Sequence, residues 1–148
     1  MFLVTRALPN PYGKDRSPSY GAPNQQLNGE WIEFANATRQ ILSLDGLTMS
    51  HYTFNFRCEQ SGEDVLTSFS GQLGVGKSIR VHTGTGNGYW EGDVFHFFLG
   101  RSNYAWNNQC GDTVILRRPN SLIDWASYRT NPPEGAVLVR VPNENRLA

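Results

Sequence analysis

The sequence predicts an all-β domain, built as a sandwich or barrel, and three observations carry that expectation. Wherever the chain is regular its apolar residues alternate at period two; its β-branched and aromatic residues gather in short runs separated by Gly, Asn, Pro or Ser; and no long run keeps helical spacing. The first strand places Phe2 and Val4 on one side and Leu3 and Thr5 on the other. A second covers residues 30–35. There Trp31, Phe34, Thr38, Ile41 and Leu42 fall near helical spacing, but GEWIEFANAT packs aromatic and β-branched residues into five positions and sets Asn36 where a strand would turn, which predicts strand, turn, strand. Further strands are expected at 52–57, 65–69, 94–99, 122–128 and 136–141. Two more rest on strict alternation: Ile79 and Val81 against Ser78, Arg80 and His82, then Val114 and Leu116 against Thr113, Ile115 and Arg117.

A chain of 148 residues, 39% hydrophobic and 12% aromatic, holds enough apolar area for one domain with a proper core, so residues 1–148 are expected to fold as a single unit. Thirteen basic and thirteen acidic residues cancel, which removes the general electrostatic case for a nucleic-acid or anionic-membrane partner. Eleven of the thirteen cations are Arg; Lys14 and Lys77 are the two lysines. Any cationic surface therefore favours planar, bidentate contacts. No window approaches the roughly 18 apolar residues of a membrane span. The N-terminus MFLVTRALPNPYG lacks a long apolar region and a small-residue cleavage site, so a cytoplasmic location is expected if the chain is full length.

Residues 71–78, GQLGVGKS, satisfy the phosphate-loop pattern, with Gly71, Gly76, Lys77 and Ser78 in the required places. Such a loop works only when a helix begins directly after Lys-Ser and points its positive end at the phosphates. SIRVHT instead alternates at period two and is closed by Gly84 and Gly86, too soon for a helix. A magnesium-holding Asp after an apolar run is also missing. Nucleotide hydrolysis is therefore not expected.

His51, His82 and His96 lack helical metal-site spacing, neither cysteine has a neighbour within four residues, and the carboxylates are scattered beside turns. No catalytic residue, metal or cofactor is predicted. Cys58 and Cys110 are expected to be free buried thiols, with one bridge between them as the alternative. The Asn36-Ala37-Thr38 sequon is read as a turn. Two long loops, 9–28 with its prolines and glycines and 84–92 (GTGNGYWEG), are where a β scaffold would place binding.

Four stretches in order, EWIEFAN (30–36), LDGLTM (44–49), LGVGK leading into IRV (73–81) and WNNQCGDTVIL (106–116), make the region 29–128 resemble the lamin tail domain. That family is an immunoglobulin-like β-sandwich found at the end of nuclear lamins and as a module in prokaryotic proteins. The PNP after the opening strand is similar to prokaryotic members. The resemblance implies that the apparent phosphate loop is the family's turn before a strand. It also makes Trp31, Phe34, Gly46, Trp106, Asn107, Asn108, Gly111, Asp112 and Trp125 structural, with the four aromatics in the core and Asn107, Asn108 and Asp112 bonding loop backbone. The chain departs from the pattern at Val75, at Cys110 before Gly111, and in the extra aromatics of 89–98. It carries no heptad rod, so filament assembly is not implied. What is implied is a non-enzymatic interaction module that meets protein partners through loops and strand edges. Arg80, Arg101, Arg117 and Arg118 form a candidate face for the alternative, a nucleic acid or other polyanion.

Overall fold

A computed structural model describes residues 1–16 and 22–148. In chain order its strands are β1 (Phe2–Leu8), β2 (Trp31–Asn36), β3 (Leu42–Ser43), β4 (Thr48–Phe54), β5 (Gln60–Ser68), β6 (Gln72–Leu73), β7 (Ser78–His82), β8 (Tyr89–Glu91), β9 (Val94–Phe98), β10 (Asp112–Arg118), β11 (Ser121–Tyr128) and β12 (Leu138–Val139). A short helix α1 (Asn24–Gly29) precedes β2. The strands form a six-stranded sheet in the order β12-β1-β2-β7-β9-β8 and a four-stranded sheet in the order β11-β10-β4-β5, with β3 and β6 as a separate pair.

Alternation explains which residues lie between the sheets. Phe2, Val4, Ile32, Phe34, Ile79 and Val81 come from the larger sheet and meet Met49, Val114, Leu116 and Ala126 of the smaller in one core. A chain of ring contacts, Phe2 to Phe34 (5.7 Å), Phe34 to Phe69 (5.2 Å) and Phe69 to Phe97 (5.1 Å), crosses that core at distances where edge-on aromatic pairs attract. Residues 36–42 do turn between two strands.

The aromatic expectations divide. Phe34 and Trp106 lie in the core. Trp31 is buried, but on the outer face of the larger sheet, where the Arg80 guanidinium sits 4.1 Å from its ring. Trp125 is not a core residue: it is 39% exposed, because Asp124 and Ala126 on either side of it are buried and a strand sends neighbours to opposite faces. The loop expected over 9–28 holds a 3-10 turn (Lys14–Arg16) and α1, and its residues 17–21 lie outside the described residues. The strand expected over 136–141 shrinks to the two residues of β12.

Cys58 and Cys110 are not free thiols; they form a disulfide with Cα atoms 5.3 Å apart. Cys58 sits at the tip of the β4–β5 hairpin, which folds through Asn55, whose side-chain oxygen accepts the Arg57 and Glu59 amides. Cys110 lies in the loop before β10. Two of the three expected Asx-type residues bond loop backbone: Asn107 Oδ1 accepts the Cys110 amide (2.8 Å), and Asp112 accepts the amides of Asn107 and Thr113, whereas the Asn108 side chain turns instead to Lys14 (3.2 Å) and Asp15 (3.1 Å). At Gly111 (φ 72°) a Cβ would lie 2.5 Å from the Tyr128 carbonyl oxygen, so glycine lets β10 start this close to β11.

Candidate interaction site at the β8 edge

The GKS segment is a strand entry. β7 runs parallel to β9, the Ser78 amide donates to the Asp93 carbonyl (2.9 Å), and the Lys77 ammonium is tied to the Asp93 carboxylate (2.6 Å). The Lys77 amide donates to the Gly74 carbonyl, and a strand follows where a phosphate loop needs a helix, so the segment offers no anion cradle.

The 84–92 loop carries the surface that stands out. Its glycines allow it to lie directly on rings: a Cβ at Gly86 would be 2.7 Å from Phe98, and one at Gly88 2.6 Å from Phe95. The chain then forms β8, which pairs with β9 and has no strand on its other side among the described residues. β8 is thus a three-residue sheet edge, with Tyr89 50% and Trp90 53% exposed. Trp90 meets Phe95 edge-on at 5.3 Å. Below it opens a cleft of about 510 Å³, with Phe69, Leu73, Phe95, Phe97 and Phe98 in its walls and Ser68, Ser70 and Gln72 at polar positions. Such a size and lining suit an apolar side chain or a small ligand.

Tyr89 and Glu91 hold the other side of the strand. The Tyr89 ring stacks on His96 at 4.5 Å, and His96 Nε2 is 2.9 Å from Glu91 Oε1. His96 also meets His82, whose second nitrogen faces the Asn28 carbonyl. Burial holds the His82 imidazole below the usual histidine range; the Asn28 carbonyl opposes this, and the neighbouring His96 and Arg80 reinforce it. The length of the 84–92 loop and the aromatic density of 89–98 were the sequence signals for this site. The parallel register that sets Arg80 opposite His96 was not readable.

The four candidate arginines do not share a surface. Arg80 lies on β7 of the larger sheet and pairs with Glu33 (3.0 Å), whereas Arg117 and Arg118 lie on β10 of the smaller one. Arg117 grips Glu63 with two 2.8 Å bonds, and Arg118 donates to the backbone carbonyls of Ser43 and Asp45. Arg101 is partly buried, its Nε without a hydrogen-bond partner among the described residues.

Lys14 and Glu30 escaped sequence reasoning. The Glu30 carboxylate is 0% exposed and takes the Lys14 ammonium (2.5 Å), the Thr83 hydroxyl (2.6 Å) and the Ala105 amide (2.8 Å). Lys14 also donates to the carbonyls of Pro9 and Trp106. This buried pair pins the 9–28 segment and the loop before β10 to the start of β2.

Two packed sheets of strands define an immunoglobulin-like β-sandwich. The Lamin Tail Domain family model matches residues 14–130, and the chain belongs to that family. Comparison with curated proteins finds no match. Among the described residues no helix is long and apolar enough to cross a membrane.

Proposed function

We propose that the domain is a non-enzymatic interaction module that binds protein partners at the β8 edge. The observation that supports this is the combination, in one place, of an unpartnered strand edge, two half-exposed aromatics and an aromatic cleft beneath them. An extended partner segment would add its backbone hydrogen bonds to β8 and set an apolar side chain into the cleft. Trp90→Ala is expected to weaken partner capture at least tenfold, since truncating a tryptophan hot spot that becomes desolvated in the complex costs about 2–4 kcal/mol. The check is cross-linking and affinity capture from native-host extract, comparing wild type with the variant; equal capture by both would overturn the assignment of β8.

The polyanion alternative draws no support from the placement of Arg80, Arg117 and Arg118, each already bonded within the protein. Gel-shift titration with duplex and single-stranded nucleic acid at low salt is expected to show no retardation. A complex whose affinity falls steeply with salt would revive that reading.

A further inference from the structure

A hydrogen-bonded chain of four groups runs across the outer face of the larger sheet. His82 Nδ1 lies 2.8 Å from the Asn28 carbonyl oxygen, His82 Nε2 lies 2.7 Å from His96 Nδ1, and His96 Nε2 lies 2.9 Å from Glu91 Oε1. The two ends accept and cannot donate, since one is a carbonyl and the other a carboxylate. His82 Nδ1 and His96 Nε2 must therefore each carry a proton. Between the rings one nitrogen donates and the other accepts, which takes one proton more. Three protons on four nitrogens leave the pair with a single positive charge, facing the Glu91 carboxylate.

No other protonation state fits these three contacts. With one proton fewer, two lone pairs meet at one of the three contacts: between the rings, against the carboxylate or against the Asn28 carbonyl. With one more, two N–H groups oppose each other at 2.7 Å. We propose that His82 and His96 form a two-sided proton lock, which holds the edge strand β8 on β9 while the pair carries one positive charge and loosens it in both acid and alkali.

The strand is poised for such control. It is three residues long and sits at the sheet edge, and two of its residues, Tyr89 and Glu91, are docked on His96. The charged and titratable neighbours on each packed element are few. Arg80 of β7 lies beside the pair with its guanidinium already on Glu33 of β2; Glu91 and the Tyr89 phenol come from β8; α1 presents the Asn28 carbonyl. Phe98 of β9 and Trp31 of β2 add uncharged walls. Burial opposes a further charge on His82, the charge on His96 and that of Arg80 add to this, and the fourth proton is therefore bound below the ordinary histidine value of 6.5 in spite of the Asn28 carbonyl. In the unfolded chain His82 binds that proton at higher pH, so the stability contributed by the lock is lost as pH falls below 6.5.

Nuclear magnetic resonance of the domain, from about pH 4 to about pH 9, tests the lock, because histidine protonation falls within that span. The Trp90 indole signal is expected at one docked position in the middle of the range and shifted on both sides, while the methyl signals of the core residue Leu116, in the other sheet, stay in place. The imidazole nitrogen spectrum in the middle window should show three protonated nitrogens for the pair. His82→Phe, which keeps the ring and removes both nitrogens, should abolish the acid limb. Glu91→Gln changes an exposed side chain and retains an acceptor without the charge, and should move the alkaline limb to lower pH. A Trp90 signal that stays as constant as that of Leu116, a one-sided profile, two neutral rings in the middle window, or an alkaline limb untouched by Glu91→Gln would each overturn the proposal. The lock concerns β8 whatever β8 binds, so its failure leaves the partner-capture result to be judged separately.

Discussion

Replacing Glu30 with alanine is expected to lower the unfolding free energy by about 3–5 kcal/mol, the usual loss when one partner of a buried ion pair is removed. The carboxylate is fully buried and gathers a lysine ammonium, a hydroxyl and the Ala105 and Trp106 amides. Its removal leaves the Lys14 ammonium, almost wholly enclosed, with only neutral acceptors, the Pro9 and Trp106 carbonyls and the Asn108 side chain. It also strips buried N–H groups of their acceptor, and an orphaned donor costs more than the bond itself contributed. Small domains are stable by about 5–15 kcal/mol, so the variant should sit near the edge of folding. Lys14→Met should fall in the same range, because it leaves the buried carboxylate with neutral donors alone, the Thr83 hydroxyl and the Ala105 and Trp106 amides. Urea unfolding of the two variants is the measurement. A loss below about 1 kcal/mol for Glu30→Ala, the scale of an exposed pair, would mean that the pair is solvated in solution.

The second large effect belongs to the disulfide. Cys58 and Cys110 are 52 residues apart, and closing a loop of that size restrains the unfolded chain by about 4 kcal/mol on the chain-entropy account. The bridge fastens the tip of the β4–β5 hairpin to the loop that leads into β10. Reductant, or the double variant Cys58→Ser/Cys110→Ser, is expected to remove about 2–4 kcal/mol, and the variant should then be indifferent to reductant. Denaturant midpoints with and without reductant decide it; an unchanged wild-type midpoint would show that the bridge contributes nothing.

Legibility in the sequence tracked the range of the interaction. Strands β2, β7 and β10 were readable because period-two alternation is a property of neighbours, and the GKS segment could be refused a phosphate-binding role because SIRVH alternates where a helix was required. The loop before β10 was readable through Asn107 and Asp112, whose side chains bond backbone a few residues away. The disulfide was not: the spacing of two cysteines says nothing of whether their Cα atoms meet. The four arginines looked alike in one dimension, yet pairing with Glu33 and Glu63 placed Arg80 and Arg117 on different sheets.

By itself, then, the sequence determined an all-β chain, its turn positions, its family and the absence of a phosphate-loop helix, all of which rest on periodicity and local backbone geometry. Only the tertiary structure decided that Trp125 faces outward while Trp106 faces in, that Lys14 is buried on Glu30, and that His82 and His96 meet at 2.7 Å beside an exposed edge strand. Those outcomes depend on which strands become neighbours and in what register. Pairing free energy is spread over many weak contacts between distant residues, so no single stretch of the chain records it.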